Sequence, residues 1–222
     1  MCGRYNLFSP MEAVAAQFAA EVRTGAFAPR YNLAPTAVVP VVCATREGRV
    51  ITLHVWGLVP SWSKDPAVGA RLANARAETV ADKPSFRAPF RRNRCIIPAD
   101  GFYEWQARPG LPKRPFCIRA AGGALLGFAG LRDEWEGPDG ALATCAIITT
   151  SANGLMAPIH ERMPVVLAPA DYGAWLDPAA PPDRLQALLR PCPEGLLRAY
   201  PVGRAVGNAR NEGPELMEPA DD

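Results

Sequence analysis

The chain opens Met1-Cys2-Gly3-Arg4. A small second residue generally permits removal of the initiator methionine, so the mature chain is expected to begin with a free cysteine. Such a residue carries an amine and a thiol on adjacent carbons. An α-amine has a reference pKa of about 7.7–8.0 against about 10.4 for lysine. Near neutral pH roughly a fifth to a third of it is unprotonated, against about a tenth of a per cent of a lysine. It therefore outcompetes ordinary lysines for an aldehyde. The thiol supplies a second step. An imine formed by the amine holds its electrophilic carbon within reach of the same residue's sulfur, and intramolecular attack closes a five-membered thiazolidine. Serine or alanine in that place would stop at the hydrolysable imine. The bare dipeptide also fits a self-processing hydrolase with the Cys2 thiol as nucleophile, or a buried thiol with no chemistry.

Four further segments accompany that terminus: Asn74-Ala75-Arg76-Ala77-Glu78-Thr79, Arg94 to Trp105, Ile159-His160-Glu161-Arg162-Met163-Pro164, and Val206-Gly207-Asn208. With Met1-Cys2-Gly3-Arg4-Tyr5 they closely resemble the SOS-response-associated peptidase (SRAP) family of abasic-site processing proteins, in the same order from Cys2 to about Pro219. The resemblance implies covalent capture of abasic sites in single-stranded DNA through a thiazolidine on Cys2, which shields the lesion from strand cleavage. It also implies an AP-lyase reaction and slow reversal of the crosslink. "Peptidase" is read as self-processing of the first residue.

The same resemblance gives roles to individual positions. Asn74 is expected to hold the N-terminal cysteine, and Glu104 to assist proton transfer as the sugar opens. A carboxylate between Tyr103 and Trp105 is costly to bury unless it is used or paired, and burial would raise its pKa. His160 is expected to serve Schiff-base chemistry and strand cleavage, which suits a group titrating near neutrality. Arg4, Arg76 and Arg162 match phosphate-clamping positions, where arginine's planar fork favours bidentate contact. Trp62 and Trp105 match aromatic positions beside the lesion, Pro35 a position near the flanking base, and Thr149 a phosphate contact. Core packing is the ordinary alternative for Trp62. Two other functions remain open: a self-processing peptidase using Cys2 with His160, and a noncovalent binder of single-stranded DNA.

Composition sets the frame for these residues. In 222 residues, 24 Lys and Arg face 22 Asp and Glu, so net charge does not single out a polyanionic partner. Their distribution does more. Arg71, Arg76, Lys83, Arg87, Arg91, Arg92 and Arg94 are opposed locally only by Glu78 and Asp82, and read either as a solvated face or as a groove for phosphates. Residues 220–222 form an acidic tail behind one domain spanning 2–219. Six scattered cysteines without a C-x-x-C pair read as free thiols, and with only two histidines no metal or cofactor is expected. No apolar run is long enough to span a membrane, and no signal peptide is evident. The expected state is a cytoplasmic monomer, associated with the nucleoid when bound to DNA.

The elements that must position these groups are mostly strands. Val38–Thr45 and Arg49–Trp56 predict a hairpin. Further strands are expected at Arg94–Pro98, Phe102–Gln106, Pro115–Arg119, Leu125–Leu131, Ala143–Thr150 and Pro164–Leu167. Ser9-Pro10-Met11-Glu12 has the form of a capping box, predicting a helix with Val14, Phe18 and Val22 inward. Other helices are expected at Ala77–Ala81, Ala170–Leu176 and Asp183–Leu189, with Tyr31–Pro35 as loop. Strands outnumber helices without regular alternation, which predicts an α+β fold: a single domain built on a strongly bent, mainly antiparallel sheet or open barrel with a few flanking helices.

Overall fold

A computed structural model describes residues 2–138 and 140–220, so Met1 and the acidic Asp221 and Asp222 lie outside the described residues. Among the described residues, thirteen strands form two sheets. In the first, β1 (Arg4–Leu7), β3 (Arg30–Leu33), β8 (Gly101–Arg108), β9 (Leu111–Ala120) and β13 (Leu197–Pro201) run antiparallel in the order β13-β9-β8-β1-β3. The second contains β4 (Val38–Thr45), β5 (Gly48–Trp56), β7 (Arg94–Ala99), β10 (Leu126–Gly137) and β11 (Gly140–Ser151). These five close into a barrel, because β5 and β11 pair in parallel at Val55–Thr144 and Trp56–Cys145. The fold class matches the sequence expectation, and the bent sheet closes completely. Short strands β2 (Ala20–Val22), β6 (Asn74–Arg76) and β12 (Arg162–Pro164) decorate it.

The long strands form where the sequence predicts them, with boundaries extended by packing. β7 is buried along its whole length, so it reads as a continuous apolar run. Between the sheets, Tyr5 meets Trp56 edge-on at 5.2 Å and Phe128 at 6.1 Å, and Phe102 meets Phe128 at 5.9 Å. The chain passes from β7 to β8 at Asp100, whose Oδ2 accepts the Phe8 and Ser9 amides at 2.8 Å each. Gly101 follows because a Cβ there would lie 2.6 Å from the Ile118 carbonyl oxygen.

Several local expectations are corrected. Helix α1 (Met11–Phe18) buries Val14 and Phe18, but Pro10 is its N-cap and the Ser9 hydroxyl donates to Asp100 Oδ1 at 2.7 Å. The helix ends at the left-handed Ala19, which leaves Val22 in β2 and 39% exposed. Tyr31–Leu33 belongs to β3 because β1 supplies a pairing partner remote in sequence. Residues 77–82 form turns: the Ala77 amide donates to Thr149 O and so leaves the local ladder. The helix in this region is α2 (Pro84–Arg92), with Phe86, Pro89 and Phe90 inward. α3 (Tyr172–Leu176) follows a 3₁₀ turn at Pro169–Asp171, and α4 (Pro182–Leu188) buries Leu185. Residues 162–164 pair as β12, while Val166 makes only an isolated bridge to Phe128. No helix among the described residues is long and apolar enough to cross a membrane.

Candidate functional site

Cys2 lies just before β1, and the β1–β8 register fixes its surroundings. Arg4 pairs with Tyr103 and Tyr5 with Phe102, so continuing the antiparallel register puts Glu104 opposite Gly3. Asn74 heads β6, and its Nδ2 donates to the Cys2 carbonyl oxygen at 2.9 Å. Its Oδ1 is buried without a hydrogen-bond partner among the described residues. An unpaired buried acceptor costs on the order of 1–3 kcal/mol, so it marks a place where a donor is wanted. Cys2 is 0% and Glu104 3% exposed. Burial is the main cause that pushes the Glu104 carboxyl up to about 7, and the charge of the amino terminus works against that rise. Burial, followed by the Glu104 charge, pushes the Cys2 thiol far above its ordinary value.

A second wall comes from β6, β11 and β12. β12 enters where β10 and β11 part: Ala129 donates to Val165 O, and Val165 donates to Ile148 O. Ahead of β12, His160 Nδ1 accepts the Arg162 amide at 3.0 Å, so in the neutral ring the proton sits on Nε2. Burial lowers the His160 pKa, which favours that neutral donor form. Arg162 grips Glu78 with both terminal nitrogens at 2.6 and 3.0 Å, and its Nη2 also donates to Thr149 O at 2.7 Å. Thr149 is fully buried and its hydroxyl donates to Ala75 O at 3.2 Å. That arrangement makes Thr149 a support for Arg162 and β6. Arg76 is exposed at the end of β6, beside Glu78.

The remaining expected residues lie farther out. Arg4 spends its guanidinium internally: Nη1 donates to Asn32 Oδ1 at 2.9 Å and Val206 O at 2.8 Å, and Nη2 to Gly207 O at 3.1 Å. Asn32 Nδ2 in turn holds the carbonyls of Val206, Asn208 and Asn211. The Val206-Gly207-Asn208 segment is thereby pinned to β1, which follows Cys2, and to β3. Trp105 is half-buried against a small cluster containing Tyr103, Cys117, Val202 and Val206. Pro35 begins a turn closed by Ala37 N to Ala34 O, with Thr36 at φ 79°. Trp62 is 66% exposed on the loop after β5, which rules out core packing for it.

Sequence reasoning missed the residue that joins these pieces, Trp56. Its carbonyl accepts the Thr36 amide at 2.7 Å and its amide donates to Ala37 O at 2.9 Å. Its indole Nε1 donates to Ala73 O at 2.9 Å, one residue before Asn74. One tryptophan thus anchors the Pro35 turn, the start of β6 and the root of the Trp62 loop, and it packs on Tyr5. Its place at the end of an apolar strand gave no sign of this. Glu78 was also missed, although it lies inside one of the matching segments.

This α+β fold, with a cysteine before its first strand, has counterparts among solved structures. A crystal structure of a Bacteroides thetaiotaomicron protein superposes with a TM-score of 0.90 at 25% identity, covering 99% of this chain and 100% of that one. One from Bordetella bronchiseptica gives 0.80 at 29% identity over 91% of this chain and 100% of that one. The family model "SOS response associated peptidase (SRAP)" matches residues 1–209, and the chain belongs to that family. It is 42% identical to "Abasic site processing protein YoqW" of Bacillus subtilis (strain 168), over 98% of this chain and 99% of the relative. "Abasic site processing protein HMCES" of Gallus gallus is 34% identical, over 89% of this chain and 68% of the relative.

Proposed function

We propose that this protein processes abasic sites in DNA, and that it does so by capturing the sugar aldehyde on the aminothiol of Cys2 once Met1 has been removed. The names of its relatives support the lesion. The observation that carries the chemistry is the buried Asn74 amide, which holds the Cys2 carbonyl through Nδ2 and keeps Oδ1 unpartnered among the described residues. A terminal amine on Cys2 is the donor that Oδ1 lacks.

In this reading the substrate is an abasic site in single-stranded DNA, bound by a cytoplasmic monomer that associates with the nucleoid through its DNA. Arg76 and Arg162 hold phosphates, Arg4 and Thr149 keep the framework in place, and Trp62, Trp105 and Pro35 receive neighbouring bases. Glu104, with a pKa near 7, is present in both forms at neutral pH. As the acid it protonates the ring oxygen while its other carboxyl oxygen takes the C1 hydroxyl proton, so the deoxyribose opens to its aldehyde and Glu104 is again protonated. The Cys2 amine adds to the carbonyl, a C–N bond forms, and water leaves with a proton supplied by Glu104. The thiol then adds across the imine: a C–S bond forms and the thiol proton passes to nitrogen. An imine left open acidifies the adjacent sugar C–H and invites elimination of the 3′ phosphate. That is the AP-lyase branch, in which the His160 Nε2–H supports the departing phosphate. Ring closure removes the imine and shields the strand, and the reverse steps release it.

A self-processing thiol hydrolase fits less well. Such a nucleophile works as a thiolate with a lowered pKa, and here burial and the Glu104 charge push the Cys2 thiol upward. The discriminating experiment mixes matured wild type and Cys2→Ala with an abasic single-stranded oligonucleotide. Wild type should give an adduct that survives heat and denaturant, while Cys2→Ala gives only an imine trapped by borohydride. Equally durable adducts from both would overturn the mechanism.

A further inference from the structure

We infer that a cavity of about 330 Å³ at the end of β4 and the start of β7, beside the middle of β10, is a second phosphate-binding site, built by Arg46, Arg92, Arg94 and Arg132. None of the residues proposed to act at Cys2 lines it. The seven-cation run between Arg71 and Arg94 leads there in part: Arg87, Arg91 and Arg92 are exposed on α2, and Arg92 reaches the cavity wall. The sequence left open whether this run was a solvated face or a phosphate groove. The cavity favours the groove for its C-terminal portion.

Three features distinguish this site from a casual surface cluster. Among the described residues, no carboxylate lines the cavity. The neighbouring acids are already engaged: Glu47 pairs with Arg23 at 2.8 Å, and Asp177 Oδ1 accepts the Ala179 amide at 2.9 Å. Burial lowers the Arg94 pKa and the Asp177 charge works against that fall, but Asp177 does not enter the lining. Second, Arg94 is locked as a fixed wall. Its Nε donates to Trp175 O at 2.7 Å, its Nη1 to Phe90 O at 2.7 Å and Arg91 O at 2.8 Å, and its Nη2 to Asp177 O at 2.5 Å, so it lends the cavity a fixed charge more than a free fork. Its charge is therefore preorganised at no further entropic cost. Third, Arg132 Nε is buried with no hydrogen-bond partner among the described residues, an outstanding donor on a cation. Its neighbours Cys43 and His54 do not neutralise it: burial raises the thiol and lowers the imidazole to about 4, so both are neutral at working pH.

The ligand chemistry that answers the guanidinium groups of Arg46, Arg92 and Arg132 beside the fixed charge of Arg94, with no competing acid among the described lining residues, is a phosphate group, for which arginine's fork offers paired N–H donors. Leu176 and Pro178 add an apolar wall, leaving room for a sugar or base beside the phosphate. That phosphate can belong to a free phosphate compound or to a nucleic-acid backbone.

The test uses the full chain and needs neither an abasic site nor Cys2 chemistry, so it stands or fails apart from the proposed function. Inorganic phosphate and an undamaged oligothymidylate are titrated against wild type, Arg46→Ala/Arg92→Ala, and a charge-matched Arg71→Ala/Arg210→Ala control. All four altered residues are exposed, which spares the fold. Loss of phosphate affinity by about tenfold or more in the pocket variant alone supports the site with free phosphate as its ligand. Loss confined to the oligonucleotide, with the log–log salt slope reduced by about 1.4 for two lost contacts, supports it with the nucleic-acid backbone. No change in either titration, or an equal loss in the control, would overturn it.

Discussion

The floor of the Cys2 site and its rim are built on opposite terms. The floor consists of Cys2, Asn74 and Glu104, held by strand register and burial, with one acceptor left open. The proposed rim consists of Arg76, the Arg162–Glu78 pair and, farther out, Trp62, all reaching solvent to some degree. A buried, preorganised polar group changes a reaction barrier, because its desolvation has been met during folding. An exposed cation or ring changes how tightly a strand is held. Floor substitutions should therefore alter rate at saturating DNA, and rim substitutions should alter affinity.

The largest effect is expected on the floor. Glu104→Gln should slow adduct formation by about a hundredfold or more, with DNA affinity unchanged. The sign of its pH dependence follows from the raised pKa: below about 7 the carboxyl is protonated and serves as the acid, and above it that form is lost. The amine needs the opposite, a pH approaching its own pKa of about 7.7–8.0. Wild-type rates should thus be bell-shaped in pH, and Glu104→Gln should lose the alkaline fall. Single-turnover rates across pH settle this. A Gln variant that bound DNA weakly and reacted normally once bound would break the distinction.

A smaller effect is expected at Trp62. Its exposure means that Trp62→Ala removes little folding energy, while loss of base stacking costs roughly 1–3 kcal/mol per base. Affinity for single-stranded DNA should fall about tenfold, with thermal stability and the rate at saturation retained. Fluorescence anisotropy and thermal melting separate the two.

The smallest effect sharpens the description of the rim. Glu78 occupies the fork of Arg162 that a phosphate would use, and its carboxyl is half-exposed. An exposed pair of this kind is worth up to about 1 kcal/mol. Glu78→Gln should tighten DNA binding by a few-fold, and Arg162→Ala should remove that gain. Equal affinities of wild type and Glu78→Gln would mean that Arg162 keeps its partner when DNA is present.

Much of this was legible in the residues. The long strands announced themselves through runs of β-branched and apolar side chains, and α4 through its leucines. What the sequence concealed depended on partners far away in the chain. β3 and β6 exist because β1 and β11 pair with them, and no local pattern at Tyr31 or Asn74 reveals those partners. Ser9 looked like a helix cap, but Asp100, distant in sequence, claims its hydroxyl. Charge hid α2: its arginines drew attention away from Phe86, Pro89 and Phe90, whose spacing marks a buried helical face. At the site, residue chemistry pointed to Cys2, and the family resemblance added Asn74 and Glu104. The structure adds Trp56 and Glu78, because hydrogen-bonding hubs are written in three dimensions.

The most direct measurement is the intact mass of the purified protein before and after mixing with an abasic single-stranded oligonucleotide. The starting species should lack Met1. After mixing, a denatured species should appear heavier by the oligonucleotide less one water. Reactive protein still bearing its methionine, or processed protein whose mass does not change, would contradict capture by the Cys2 aminothiol.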